Sequence, residues 1–133
     1  MKSAEIESIP LFERLSPDER ERVAAVARPE RFEPGHTIVG EGEFSFDFYA
    51  ITEGSAEVRR GDEAIAVLGP GDIAGEAGVV PRGGWSRRRG ASVTATEPTT
   101  TIAIAGTDLR RLLEEIPALR EAILEVIASR ERG

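Results

Sequence analysis

The sequence predicts a mainly β fold flanked by helices, and three observations lead to this prediction. Between residues 31 and 105, Gly and Pro turn signals recur at short intervals, for example Pro34-Gly35, Gly61-Asp62 and Gly69-Pro70-Gly71. The segments between those turns alternate apolar and polar residues, which is typical of half-buried strands. Apolar residues at both ends of the chain instead follow helical spacing. We therefore expect one domain over residues 1–133, with an N-terminal helical segment (1–28), an antiparallel sandwich or barrel (29–106) and C-terminal helices (107–132).

The N-terminal helix has a clear start. Ser16 can cap it, Pro17 suits the first helical position, and Glu19 completes a capping box. Val23, Ala24, Val26 and Ala27 then give the helix one apolar side, and Pro29 marks its end.

The strand region contains two kinds of segment. Ala56 and Val58 alternate with Glu57 and Arg59, and Val93 and Ala95 alternate with Ser92 and Thr94, so each of these strands has one apolar face. The segment 46–51 is apolar on both faces, which predicts a central strand.

The C-terminal region predicts two helices. Thr107 is a candidate cap for the first, and Pro117 ends that helix and opens the next. The second helix carries an apolar stripe, which must pack either on the barrel or on a second copy of the chain: Leu119, Ile123, Val126 and Ile127. Formation of a homodimer through these helices is therefore an open alternative.

Composition excludes several classes of protein. The chain has no Cys and one His, His36, so cysteine zinc sites, histidine-rich metal centres and cysteine or histidine catalytic sets cannot be assembled. The net charge of −7 disfavours direct binding to DNA. Neither a secretory leader nor an apolar run long enough to span a membrane is visible, so we expect a cytoplasmic protein. Because no catalytic set of Cys or His can be assembled, we also expect that the protein is not an enzyme.

Residues 71–80 and 89–93 are the most informative part of the sequence. Gly71, Gly75 and Gly78 surround Glu76, which is typical of a tight turn whose backbone amides face an anion. Arg89 precedes the small pair Gly90-Ala91, which would let a phosphate approach the backbone while the guanidinium binds it. Because a carboxylate repels phosphate, Glu76 is better suited to accept a hydrogen bond from a sugar hydroxyl.

An ordered series of short motifs resembles the cyclic nucleotide-binding domain shared by the bacterial catabolite activator and the regulatory subunits of cyclic AMP-dependent kinase. The series covers nearly all of the chain after residue 8: Ile9-Pro10-Leu11-Phe12, Phe32-x-x-Gly35, Glu41-Gly42-Glu43, Tyr49-x-Ile51-x-x-Gly54, Leu68-x-x-Gly71-Asp72, Gly75-Glu76, Arg89-x-Ala91 and Pro117-x-Leu119. The resemblance implies an eight-stranded antiparallel β-roll, similar to a jelly roll, with one helix before it and two after it.

The resemblance also implies a ligand site for cyclic AMP, with cyclic GMP as an open alternative and no further cofactor. Glu76 would take the ribose 2′-hydroxyl, Arg89 would pair with the cyclic phosphate, and backbone N–H groups around Gly75 and Ala91 would complete the phosphate cradle. Ala77 and Gly90, which adjoin these residues, belong to the same predicted ligand-binding set. The resemblance further implies that the last helix acts as a lid, whose movement an unidentified partner protein would read. Candidate contacts to the cavity or the base are Val58, Ile65, Ala74, Ser92 and Arg130.

Several features depart from the family pattern. Ala74 stands where the family usually has a large apolar residue, Ala77-Gly78 follows the glutamate, and the 13 positions from Glu76 to Arg89 exceed the usual spacing. The sequence offers no segment for a helix-turn-helix after the last helix, so we expect a stand-alone sensor, with a domain cut from a longer chain as the alternative.

Other interpretations of the same residues stay open. Glu76 and Arg89 could form a structural ion pair, the arginine-rich segment 82–88 could be a solvated loop or bind a second phosphate, and Trp85 could stack on a base or pack on the domain. The alternative function is a degenerate β-roll that binds no cyclic mononucleotide and serves as a protein-interaction module.

Overall fold

A computed structural model describes residue 6 and residues 9–39, 47–74 and 92–132 of the chain. Within these residues the elements follow the order helix, strands, helices. They are a 3₁₀ helix (Pro10–Phe12), α1 (Pro17–Val26), β1 (Arg28–Phe32), β2 (Thr37–Val39), β3 (Phe48–Glu53), β4 (Ala56–Arg60), β5 (Glu63–Leu68), β6 (Ile73–Ala74), β7 (Ser92–Ala95), β8 (Thr99–Ile104), α2 (Gly106–Glu115) and α3 (Pro117–Arg132).

The eight described strands form two four-stranded sheets. The first sheet has the order β1-β8-β3-β6 and the second has the order β2-β7-β4-β5. Every described pairing is antiparallel. The predicted antiparallel β-roll, with one helix before it and two after it, is confirmed.

The first sheet is covered on both faces, because its strands β3 and β8 are apolar on both sides. On one face it packs against the N-terminal segment and the helices, in what we call the helical cluster. On the other face it packs against the second sheet, in what we call the inter-sheet cluster. Phe48 and Ala50 of β3 belong to the helical cluster, whereas Tyr49 and Ile51 belong to the inter-sheet cluster. The prediction of a central strand is therefore confirmed, since β3 lies between β8 and β6.

The start of α1 matches its prediction. The Ser16 hydroxyl accepts a hydrogen bond from the Glu19 N–H at 3.2 Å, and the Glu19 carboxylate accepts one from the Ser16 N–H at 2.9 Å. These two bonds satisfy amide hydrogens that the first helical turn leaves without partners. Val23 and Ala24 are buried, and α1 ends at Val26, before Pro29 enters β1.

The start of α2 differs from its prediction. The helix begins at Gly106, its N-cap residue is Ala105, and no side chain caps it, so the predicted capping by Thr107 is wrong. The extended backbone of Ala105 (φ −60°, ψ 140°) carries the chain straight from β8 into the helix. The first helical bond runs from the Leu109 N–H to the Ala105 carbonyl at 2.9 Å, which puts Thr107 inside the first turn. The predicted break at Pro117 is confirmed, since α2 ends at Glu115 and α3 begins at Pro117.

Candidate functional site

Two of the predicted wall residues come together between the two sheets. Val58 of β4 and Ala74 of β6 are 0% and 2% exposed and belong to the inter-sheet cluster, and Ile65 of β5 is partly buried against it. On β4, Val58 pairs with Val93 on one side and with Ala66 on the other, so these three residues share the face that the cluster covers. The inter-sheet cluster therefore contains two of the predicted walls, and a third, Ile65, packs against it.

Ser92 is not brought together with these walls. It pairs with Arg59 on β4, whereas its neighbour Val93 pairs with Val58. Because directly paired residues share a face and successive residues alternate, Ser92 lies on the face of Arg59, opposite to Val58. Arg59 is partnered there, since its guanidinium donates to the Glu57 carboxylate and, at 2.8 Å, to the Asp62 carbonyl.

The remaining predicted ligand residues lie outside the described residues. They are Gly75, Glu76, Ala77, Arg89, Gly90 and Ala91, together with the arginine-rich segment 82–88 and Trp85. Arg130 lies in α3, but its side chain is also outside the described part. The described residues flank the segment 75–91 on both sides, with Ala74 at the end of β6 and Ser92 at the start of β7.

The turn that precedes β6 is tightly fixed. Gly71 has a φ of +94°, a conformation that glycine adopts at little cost. The Asp72 carboxylate accepts a hydrogen bond from the Gly69 N–H at 2.9 Å, and the Asp72 N–H donates to the Gly69 carbonyl at 3.0 Å. Two further backbone bonds join the turn to Ile51 of β3 at 3.0 and 2.9 Å. These bonds hold the strand that leads into residue 75.

A polar clamp fixes the other side, where β7 turns into β8. We define this clamp as Gly54 and Ser55 together with Thr96, Glu97 and Thr99. The Ser55 carbonyl accepts bonds from the Thr96 N–H at 3.0 Å and from the Thr99 hydroxyl at 2.9 Å. The Ser55 hydroxyl lies 2.6 Å from the Thr96 hydroxyl and donates to Glu97 at 2.9 Å. The clamp sets the position of β7, and hence of the strand that leaves the segment 75–91.

The sequence does not predict the clamp, because no local pattern of residues indicates it. Ser55 and Thr99 are 44 residues apart, so their contact exists only after both turns have formed. His36, by contrast, matches its prediction as a turn residue before a strand. It is exposed, and its N–H donates to the Glu33 carbonyl at 3.0 Å directly before β2.

The described residues line two clefts on the side of the first sheet that faces the N-terminal segment. One of about 510 Å³ lies between the first sheet and the N-terminal segment, and its lining includes Pro10, Pro29 and Thr100. The other, of about 360 Å³, lies between α3, the N-terminal segment and Gly71-Asp72.

The described residues contain no group of three or more His, Cys, Asp or Glu side chains that could hold a metal ion. Among the helices of that same part of the chain, none combines the length and the apolar character needed to cross a membrane.

Comparisons with known proteins agree with this architecture. In sequence, the chain is 28% identical over 114 residues to a cAMP-dependent protein kinase regulatory subunit of Hypocrea atroviridis, covering 86% of this chain and 24% of the relative. It is 27% identical over 128 residues to the cyclic AMP receptor protein of Thermus thermophilus, covering 92% of this chain and 57% of the relative. The chain thus spans less than two thirds of the length of either relative.

A solved structure supports the fold independently. The regulatory domain of Toxoplasma gondii PKA, solved with cAMP, matches with a TM-score of 0.75 at 24% identity, covering 96% of this chain and 48% of that one. At this identity the match shows a shared fold. The model of the cyclic nucleotide-binding domain matches residues 29–116, which include β2 to β8, α2 and all of β1 except Arg28. The chain belongs to the cyclic nucleotide-binding domain family.

Proposed function

We propose that this chain is a receptor for a cyclic nucleotide, with cyclic AMP as its ligand. One observation carries the proposal: the family match covers residues 29–116, a range that includes both predicted ligand motifs, Gly75-Glu76 and Arg89-x-Ala91. The names of two relatives, a cAMP-dependent kinase subunit and a cyclic AMP receptor, support cyclic AMP as the ligand. The joining of Val58, Ile65 and Ala74 in one inter-sheet cluster supports a cavity wall there.

The proposed roles follow from the chemistry of the ligand. Arg89 binds the cyclic phosphate, because a guanidinium offers paired donors to two phosphate oxygens. Backbone N–H groups at Gly75, Ala77, Gly90 and Ala91 add uncharged donors around the same phosphate. Glu76 accepts a hydrogen bond from the ribose 2′-hydroxyl, which distinguishes the ligand from its 2′-deoxy analogue.

The proposed output is a movement of the C-terminal helices. Ligand can shift their position only if it binds one arrangement more tightly than the other. A partner protein in the cytoplasm would then read the shifted arrangement. Helices α2 and α3 suit this role, because they pack on the first sheet through the helical cluster, and strands β3 and β8 of that sheet also contribute to the inter-sheet cluster.

Calorimetric titration with cyclic AMP tests the proposal directly. The parent chain should bind with one site, and Arg89→Ala should weaken binding roughly thirtyfold to several thousandfold, about 2–5 kcal/mol, because the phosphate loses its charged partner. Arg88→Ala is the matched control, since it removes the neighbouring charge and should leave the affinity within about threefold. Equal affinities of the parent chain and Arg89→Ala would contradict the site.

A second titration tests the sugar contact. The parent chain should prefer cyclic AMP over its 2′-deoxy analogue, and Glu76→Gln should remove most of that preference with a smaller loss of overall affinity. If the parent chain binds neither nucleotide, the degenerate protein-interaction module becomes the better account.

A further inference from the structure

Among the described side chains of α3, the fully buried ones lie in its first half. Leu119 and Ile123 are both 0% exposed in the helical cluster. Beyond Ile123, every α3 side chain that the structure describes is at least partly exposed, and two of these, Leu124 and Val126, still pack against the helical cluster. Within the described residues, burial of apolar surface therefore stabilises the position of the first half more than that of the second.

An ion pair begins where this anchoring ends. The Arg14 guanidinium donates to the Glu125 carboxylate at 2.5 Å, and the two residues are 111 positions apart in the chain. The hydrogen bond and the charge of Glu125 raise the pKa of Arg14, with smaller contributions from Glu121 and Glu13. The pair thus joins the second half of α3 to the N-terminal segment.

The N-terminal side of this pair is itself fixed. Arg20 of α1 donates to the Glu13 carbonyl at 2.9 Å and to the Phe12 carbonyl at 3.5 Å. Phe12 is fully buried in the helical cluster. Arg14 therefore follows two residues that are fixed by these bonds, whereas Glu125 extends from the less buried half of α3.

Open space lies beside the pair. The cleft of about 360 Å³ separates Ala122, Val126 and Ser129 of α3 from the turn at Gly71-Asp72. The second half of α3 is consequently not packed against that turn, so its displacement would cost little buried contact there.

None of the α3 side chains that the structure assigns to a cluster reaches the predicted cavity wall. Every α3 side chain assigned to a core belongs to the helical cluster, on the outer face of the first sheet. Val58, Ala74 and Ile65 belong to the inter-sheet cluster on the opposite face. For α3 to act as a lid over the ligand, its second half must leave the position seen here.

We propose that the Arg14–Glu125 pair is a latch that holds the second half of α3 against the N-terminal segment and so opposes the arrangement that binds ligand. This proposal rests on the proposed function. Releasing the latch raises the fraction of molecules in the competent arrangement, which lowers the apparent dissociation constant by the same factor. Both side chains are more than half exposed, at 51% and 61%, so we expect a change of about two- to fivefold.

The experiment is a double-mutant cycle with cyclic AMP as the probe. Arg14→Gln and Glu125→Gln should each lower the dissociation constant about two- to fivefold, and the double variant should bind no more tightly than either single one. Arg111→Gln is the control, because Arg111 forms a comparable exposed pair with Asp108 at 2.8 Å within α2 and does not reach α3. It should leave the dissociation constant unchanged. Unchanged or weaker binding in both single latch variants would overturn the proposal.

If the parent chain binds no nucleotide, the proposed function is rejected. The latch is then tested by hydrogen exchange in the ligand-free protein. Hydrogen exchange in the second half of α3 should become faster in Arg14→Gln than in the parent chain, while exchange in α2 stays the same. Equal exchange rates in the two proteins would reject the latch itself.

Discussion

Gly54 lies so close to Thr99 that any side chain at position 54 would overlap it in the present arrangement. A Cβ atom added to Gly54 would lie 2.6 Å from the Thr99 hydroxyl and 2.7 Å from its Cα atom. The φ of Gly54 is +93°, which side chains rarely adopt. The close approach of Gly54 to Thr99 brings the β3–β4 turn into contact with the β7–β8 turn, within the polar clamp.

Gly54→Ala should therefore destabilise the fold by about 2–4 kcal/mol, because backbone strain and steric overlap act together. Gly35→Ala provides the control. Gly35 has a similar φ of +89°, but nothing lies within 4 Å of its added Cβ, so only the backbone strain of about 1 kcal/mol remains. Urea unfolding of both variants measures the difference, and equal losses would contradict the role of the close contact.

Thr99 should contribute more stability than Thr101, although both are fully buried polar residues. The Thr99 hydroxyl accepts from the Ser55 N–H at 3.2 Å and lies 2.9 and 2.8 Å from the Ser55 and Glu97 carbonyls. The Thr101 hydroxyl donates to the Glu30 carbonyl at 2.9 Å.

Thr99→Val should cost about 2 kcal/mol because the Ser55 N–H loses its acceptor and a carbonyl loses its hydroxyl donor, and Thr101→Val should cost about 1 kcal/mol because the bond to the Glu30 carbonyl is lost. Guanidinium unfolding of the two variants checks the order. A larger loss for Thr101→Val than for Thr99→Val would show that the clamp does not depend on this hydroxyl.

Ser16→Ala should destabilise the protein by about 1 kcal/mol, because it removes the hydroxyl of the capping box. Thr107→Ala should change stability by less than about 0.5 kcal/mol, since Thr107 is exposed and caps nothing. Thermal unfolding of this pair of variants distinguishes the two helix starts. A similar loss in both would contradict the assignment of Ala105 as the cap of α2.

The difference between these two helices shows what a sequence can predict. The capping box of α1 is local, because Ser16 and Glu19 are three residues apart and their preferences act together. The start of α2 depends on where β8 ends, and that end is set by its pairing with β1 and β3. Thr107 is a good cap in isolation, but the chain already enters the helix at Gly106.

The same distinction between local patterns and long-range contacts applies to the candidate site. Alternation along β4 and β7 predicts that Val58 faces the core and that Ser92 faces the other side, and the register confirms both. Family resemblance had grouped Ser92 with the walls, and here the strand geometry gives the more specific answer. The contacts of Gly54 with Thr99 and of Arg14 with Glu125 join distant parts of the chain, so no local pattern predicts them.

Thermal unfolding of the purified chain with cyclic AMP, cyclic GMP and one cyclic dinucleotide tests the central claim most directly. A ligand at about a hundred times its dissociation constant stabilises the folded state by roughly 2.7 kcal/mol. For a chain of this length that corresponds to a rise of about 10 °C in the unfolding midpoint. We predict this rise with cyclic AMP and its loss in Arg89→Ala. A midpoint that stays constant with all three nucleotides would contradict the account of this chain as a cyclic nucleotide receptor.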